Sequence, residues 1–151
     1  MSKADLTGNI VYCNANFINV AAYDEEELIG KPHNMIRHPD TPSVIFKLLW
    51  DNLKQGKNFN AVVKNLNKKG EYYWVMNDID FVRDTSQNIT HYSGIRKAYP
   101  TEVIKEHIEP LYSKLRDLEA SEGIEASEKY LNQFLAEKGK PYNEYVKELI
   151  A

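Results

Sequence analysis

Three β-prone runs, joined by turn residues, dominate the middle of this 151-residue sequence. They span residues 59–66, 72–82 and 89–95 and are rich in Val, Ile, Tyr, Phe and Trp, which are the residue types favoured in strands. Their connections, Asn67-Lys-Lys-Gly70 and Asp84-Thr-Ser-Gln-Asn88, are short and consist largely of residues typical of turns. Because short connections join antiparallel neighbours, the sequence predicts an antiparallel meander.

The segment before the meander mixes strand and helix signals. Residues 10–13 follow the turn signal Thr7-Gly-Asn9 and predict a strand in a short strand pair. Asn14 then precedes apolar residues at helical spacing, where an Asn can cap a helix. Prolines within residues 30–42 preclude one long helix there, and the next helix is predicted over about 42–55. This order predicts an α+β fold in which short helices cover one sheet face and leave a pocket for a small ligand.

The pattern changes at Tyr99-Pro100, after which Glu, Lys, Leu and Ala take over and no Gly occurs before Gly123. An apolar stripe with spacings of three and four follows, made of Ile104, Ile108, Leu111, Leu115 and Leu118. Two heptads are too few for an isolated coiled coil, so we expect the stripe to pack on the sheet or on a second subunit. Pro110 lies inside this helix and is expected to kink it. We therefore predict one domain over residues 1–99 and an α-helical C-terminal extension over residues 100–151.

Composition excludes several classes of protein. No apolar run approaches the roughly 20 residues that cross a bilayer, so direct membrane insertion is not expected. A net charge of −3, with no cluster of Lys and Arg among aromatic residues, argues against nucleic-acid binding. A lone Cys13 and the lack of a signal-peptide pattern predict a cytoplasmic location. The sequence also lacks the metal, nucleophile and phosphate-loop motifs of common enzymes, so we expect a protein that is not an enzyme.

One long motif narrows the interpretation further. The run Gly30-Lys-Pro-His-Asn-Met-Ile-Arg-His-Pro-Asp40 is followed by Trp50, by Val63-Lys-Asn65 and by Gly70-Glu-Tyr-Tyr-Trp-Val75. These residues resemble the PAS domains of bacterial aerotaxis (Aer-type) receptors, a family of energy-taxis and redox sensors. The resemblance covers about residues 5–97. It implies a PAS fold with a five-stranded antiparallel sheet and a pocket that holds FAD.

The resemblance also implies which residues bind the cofactor. The matching positions are Arg37, His38, Asp40, Trp50, Asn14 and Asn65. Their chemistry suits a flavin nucleotide, because an arginine binds a pyrophosphate through two hydrogen bonds. Amide side chains match the donors and acceptors of the flavin ring, and a tryptophan can stack on it.

Each of these residues also has a purely structural interpretation. Arg37 could pair with Asp40, and His38 could cap a turn. Trp50 lies on the apolar face of its helix, where a role in the core is as reasonable as a contact with the flavin. Asn14 is well placed as a helix cap. An Asn within a β-run is unusual, which favours a polar contact for Asn65.

Two departures from the family leave other functions open. Phe59 stands where family members often have Trp, and His91-Tyr-Ser-Gly94 replaces a Gly-Tyr-x-Ser pattern. Both positions are expected to line or adjoin the pocket. One alternative is therefore a cofactor-free PAS domain that acts as a dimerisation or docking scaffold. A further alternative is a haem-based gas sensor, because a single His can ligate haem.

The sequence thus predicts a cytoplasmic PAS sensory module that binds FAD and senses redox or energy state. It would signal through its C-terminal helices to a partner protein of a chemotaxis receptor or kinase pathway, with a homodimer as one arrangement.

Overall fold

The computed structural model describes all residues from Met1 to Ala151, and its centre is a five-stranded antiparallel sheet. The strands are β1 (Ser2–Ala4), β2 (Ile10–Cys13), β3 (Phe59–Leu66), β4 (Tyr72–Arg83) and β5 (Ile89–Ala98), in the spatial order β2-β1-β5-β4-β3. The last three form the predicted meander. The turn between β3 and β4 needs Gly70, whose φ of 84° is costly for a residue with a Cβ.

Short helices connect β2 to β3 and cover one face of the sheet. They are α1 (Ala15–Ala21), α2 (Glu25–Leu28), a 3₁₀ turn (His33–Ile36) and α3 (Ser43–Lys54). The helix α3 begins directly after Pro42, which has extended backbone angles and precedes the first helical residue. The predicted α+β class and the predicted helix over about 42–55 are both confirmed.

The C-terminal part forms a helical extension. It consists of α4 (Thr101–Val103), a π-helical turn (Ile104–Ile108), α5 (Glu109–Glu122), α6 (Ile124–Lys138) and α7 (Tyr142–Glu148). Pro110 does not end the helix, because the π turn lies immediately before it. A wider turn accommodates a residue that lacks an N–H and crowds the preceding carbonyls. None of the helices combines the length and apolar character needed to cross a bilayer.

The apolar stripe of the extension packs on the sheet of the same chain. Ile104, Ile108, Leu111 and Leu115 are buried in one core with side chains of α3 and β3. Trp74 of β4 meets Tyr112 of α5 with ring centroids 6.0 Å apart. The extension therefore packs against both α3 and β3, and β3 is buried along nearly its whole length.

The extension also closes the exposed edge of β3. The N–H of Val62 donates to the hydroxyl of Tyr142 (3.1 Å), and the hydroxyl of Tyr112 donates to the carbonyl of Val62 (2.6 Å). The two hydroxyls lie 2.5 Å apart, so Tyr142 donates to Tyr112 and completes a ring of three hydrogen bonds. An edge strand would otherwise present these backbone groups to other chains.

Candidate cofactor site

A cavity lies between the sheet and helix α3, where the sequence predicts a ligand pocket. It measures about 120 Å³ and is partly open to solvent. Because side chains alternate across a strand, β3 contributes Ala61, Val63 and Asn65 to the cavity, while the N–H of Val62 donates to Tyr142 of the extension. The same alternation brings Tyr92, Gly94 and Arg96 of β5 to the cavity.

Apolar side chains of α3 form the wall opposite the sheet. Phe46, Leu49, Trp50 and Leu53 recur at helical spacing and all line the cavity. Trp50 meets Tyr92 edge to face, with ring centroids 5.6 Å apart. Gly8 lets this ring approach, since a Cβ there would lie 3.3 Å from Trp50. The tryptophan is thus both a core residue and a wall of the cavity.

Arg37 lines the cavity next to this wall. It follows the 3₁₀ turn and forms a β-bridge with Asn65 of β3. Its guanidinium lies 3.4 Å from the ring centre of Phe46, and partial burial there lowers the pKa of Arg37. This leaves a cationic group with free donors beside an aromatic ring, a combination that suits a phosphate or another anion.

His38 and Asp40 follow Arg37 in the chain but do not line the cavity. Asp40 pairs with Lys64 (2.8 Å), and this hydrogen bond holds the pKa of the carboxyl below its usual value. The backbone N–H of Asp40 donates to His38 Nδ1 (3.0 Å), and burial lowers the pKa of this histidine. The N–H of His38 in turn donates to the carbonyl of Lys64 (3.0 Å). These contacts fasten the segment that carries Arg37 to β3.

Asn14 also lies away from the cavity. Its Oδ1 accepts hydrogen bonds from the N–H of Phe17 (2.9 Å) and from the N-terminal amine of Met1 (3.0 Å). It therefore caps α1, as its position in the sequence suggests. Of the predicted site residues, the cavity brings together Arg37, Trp50 and Asn65.

The polar wall of the cavity contains residues that the sequence did not single out. Arg96 Nη1 donates to Ser2 Oγ (2.9 Å), which is also hydrogen bonded to His33 Nε2 (3.0 Å). Burial, with Arg96 nearby, lowers the pKa of His33 to about 3. Burial also lowers the pKa of Arg96 to about 10. Alternation along β5 from Tyr92 could have indicated Arg96, but only the packed sheet brings it beside His33.

Phe59 occupies a different environment from the one expected. It does not line the cavity but stacks on Tyr142 of α7, with ring centroids 5.4 Å apart and an interplanar angle of 7°. The departure from Trp at this position therefore bears on the extension. The second departure does touch the cavity, since Tyr92, Ser93 and Gly94 all line it.

The structure contains no group of three or more His, Cys, Asp or Glu side chains arranged to hold a metal ion. The polar groups of the cavity are instead amides, three hydroxyls, one neutral imidazole and two guanidiniums. Such a set suits an organic ligand with hydrogen-bonding edges.

Comparison with known proteins finds similarity in the part of the chain that forms the cavity. A family model described as "PAS fold" matches residues 10–96. The aerotaxis receptor of Escherichia coli is 41% identical over 116 residues, which are 76% of this chain and 22% of that protein. Biofilm dispersion protein BdlA of Pseudomonas aeruginosa is 30% identical over 81 residues, which are 53% of this chain and 19% of that protein. The chain thus spans about a fifth of the length of these relatives.

Solved structures give the same fold. The light-state structure of the blue-light photoreceptor Aureochrome1 LOV has a TM-score of 0.64 at 18% identity, covering 72% of this chain and 88% of that one. A light-oxygen-voltage domain studied with a flavin analogue has a TM-score of 0.65 at 21% identity, covering 75% of this chain and 86% of that one.

Proposed function

This chain belongs to the PAS-fold family, and we propose that it is a sensory module that binds FAD and reports the redox state of the flavin through its C-terminal helices. The relationship to an aerotaxis receptor at 41% identity supports this function. So does the fold shared with a light-oxygen-voltage domain studied with a flavin analogue. As a sensor, the module has no catalytic role of its own.

The observation that carries the proposal is the make-up of the cavity. Its walls are apolar and aromatic, yet two buried polar atoms in it, Asn77 Oδ1 and Arg96 Nε, have no hydrogen-bond partner. Buried polar groups are nearly always paired in native proteins. A planar ring with polar edges, such as a flavin, would satisfy these atoms while its faces contact Trp50 and Val63.

Three predicted residues are proposed to contact FAD. Arg37 would hold the pyrophosphate, Asn65 would pair with the polar edge of the ring, and Trp50 would contact its face. His38, Asp40 and Asn14 would support binding from outside the cavity. His38 and Asp40 fix the segment that carries Arg37, and Asn14 caps α1. Bound flavin would supply reversible electron transfer near physiological potentials.

The elements that line the cavity also hold the extension, which gives a route for the signal. Helix α3 carries Trp50 at the cavity, while its first N–H groups bind Glu119 of α5. Strand β3 carries Val63 at the cavity, while the adjacent Val62 binds Tyr112 and Tyr142. A shift of either element would therefore alter how the extension packs, as a population shift between two arrangements.

We further propose that the boundary between sensor and output lies at Tyr99-Pro100, with sensing in residues 1–99 and output in residues 100–151. The receiving partner would be a cytoplasmic protein of a chemotaxis or kinase pathway. A homodimer of this chain is one arrangement in which the module would signal. The π turn at Ile104–Ile108 follows β5 and the short helix α4. We propose it as the point where the extension moves, since π turns within helices are frequent at functional sites.

A cofactor-free scaffold is the second candidate, and the size of the cavity favours it. The cavity measures about 120 Å³, and the side chains of Phe46, Trp50 and Tyr92 pack into the space between α3 and the sheet. A protein that keeps these side chains in place would act through its helices alone.

An absorption spectrum with added FAD distinguishes the two functions. After incubation with excess FAD and removal of unbound FAD, the chain should retain the visible flavin band. The variant carrying Arg37→Ala and Trp50→Ala should lose it, because it lacks both the proposed phosphate contact and the aromatic wall. Arg83→Ala is the matched control, since Arg83 is exposed at the end of β4 and does not line the cavity.

Retention by the native chain and by the control, with loss in the double variant, would support both the flavin and its site. If the native chain retains no FAD, the flavin proposal fails and the scaffold remains. A Soret band in the purified protein would instead indicate haem.

A further inference from the structure

Arg96 is a cation without an acidic partner at the inner wall of the cavity. Nη1 donates to Ser2 Oγ (2.9 Å) and to the carbonyl of Gly94 (3.3 Å), and the guanidinium carbon lies 4.8 Å from the centre of the Phe17 ring. Nε is buried and has no partner. All the ion pairs of the chain involve other residues. An uncompensated buried charge is costly and marks a candidate functional group.

The groups that face Arg96 provide no negative charge at neutral pH. Burial raises the pKa of Tyr73 and of Cys13, which keeps both side chains protonated and neutral. His33 is neutral as well, because its pKa is lowered to about 3. The remaining neighbour is the N-terminal amine of Met1, a base. Nothing within the chain therefore balances the charge of the guanidinium.

A second unpartnered atom lies beside Arg96. Asn77 is its register partner on β4, and Asn77 Oδ1 is buried without a hydrogen bond. Both side chains crowd over Gly94, since a Cβ placed there would lie 2.8 Å from Asn77 Oδ1 and 3.3 Å from Arg96 Nη1. One wall of the cavity thus offers a charged donor and a neutral acceptor side by side.

We infer that Arg96 and Asn77 form a subsite for the edge of the cofactor that becomes negatively charged on reduction, and that Arg96 thereby raises the reduction potential of the bound flavin. This inference rests on the proposed function. An oxidised flavin that takes up two electrons and one proton becomes an anion, with the charge on the pyrimidine edge of the ring. A positive charge beside that edge stabilises the reduced form more than the neutral oxidised form.

The test is a reductive titration of the FAD-loaded full chain with dithionite in the presence of reference dyes. Arg96→Gln removes the charge but keeps an amide donor. We expect the reduced flavin to lose about 30-fold more affinity than the oxidised flavin, which lowers the midpoint potential by about 44 mV for a two-electron couple. Lys97→Gln is the matched control, because Lys97 is the next residue on β5 and is exposed.

A second variant keeps the inference testable if Arg96→Gln does not fold. Asn77→Asp supplies the missing carboxylate next to Arg96, so it should also lower the midpoint potential and should stabilise the FAD-free protein against urea. An unchanged or higher potential in both variants would overturn the inference while leaving flavin binding intact. Failure of the native chain to retain FAD would overturn the inference together with the proposed function.

Discussion

At the residue scale, the cavity joins groups whose protonation depends on one another. His33 is enclosed between Ser2, the Phe17 ring and the guanidinium of Arg96. Protonation of this histidine would place a second positive charge in a buried site that already holds one. The native state therefore binds a proton at His33 much more weakly than the unfolded chain does.

This difference predicts a pH-dependent stability. The pKa of His33 is about 3 in the folded protein, against 6.5 for a histidine without these interactions, as in the unfolded chain. The stabilisation is therefore complete above the unfolded value and is lost as the pH falls from 6.5 towards 3. Over that range the free energy of unfolding should fall by up to about 1.4 kcal/mol per pH unit through this group.

Urea denaturation at a series of pH values gives the slope of the unfolding free energy against pH. His33→Gln should reduce this slope between about pH 6 and pH 5, a range above the pKa of most carboxyl groups. His107→Gln, at an exposed position of the extension, should leave the slope as it is in the native chain. An equal slope in His33→Gln and the native protein would show that His33 is not the group responsible.

At the element scale, α3 is held at its N-terminus by a residue from another helix. Pro42 has no side-chain cap to offer. The carboxylate of Glu119 in α5 accepts hydrogen bonds from the N–H groups of Ser43 (2.9 Å) and Val44 (3.0 Å), and Ser127 of α6 donates to the same carboxylate (3.0 Å). Arg116 adds a hydrogen bond to the carbonyl of Asp40 (2.7 Å). The cavity helix and the extension thus share one junction.

Removal of this cap should destabilise the chain. Glu119→Ala leaves two N–H groups of α3 without a protein partner and removes a negative charge from the positive end of the helix dipole, at a cost of about 1–2 kcal/mol. Glu122→Ala, one turn further along α5 and exposed, should change stability much less. The midpoint of urea unfolding at an unchanged m-value reports the difference, and equal midpoints for the two variants would contradict the capping role.

At the scale of the whole molecule, the sensor and the extension share a core. Residues 100–151 supply buried side chains that contact α3 and β3, including Leu111, Tyr112, Leu115, Tyr142 and Val146. Tyr112 and Tyr142 also satisfy the edge of β3 at Val62. The proposed boundary at Tyr99-Pro100 would therefore separate two functions rather than two independently stable bodies.

A chain that ends at Tyr99 tests this arrangement. It should lose more than about 3 kcal/mol of unfolding free energy, the scale of losing contacts of two or more large buried side chains. It should also self-associate, because the freed edge of β3 would present the unpaired N–H and C=O of Val62 to other chains. Urea unfolding and size-exclusion chromatography measure both effects. A monomer as stable as the full chain would show that residues 1–99 fold without the extension.

Local signals in the sequence determined most of the elements. Turn residues at 67–70 and 84–88 separated the three long strands, and alternation within them indicated which residues share a face. Helical spacing gave the face of α3 that carries Trp50 and the stripe of the extension. The motif that ends at Asp40 indicated the PAS family. Each of these features depends on neighbours in the chain, which is why a single sequence contains them.

Only the tertiary structure decided which side chains meet. Within the motif from Arg37 to Asp40, Arg37 lines the cavity while Asp40 pairs with Lys64, an arrangement set by the antiparallel bridge of this segment to β3. The cap from Glu119 and the stacking of Phe59 on Tyr142 join residues that are far apart in the chain. The lack of a partner for Arg96 Nε likewise depends on which residues pack around it. Such contacts depend on packing and charge in three dimensions, and local sequence patterns do not record them.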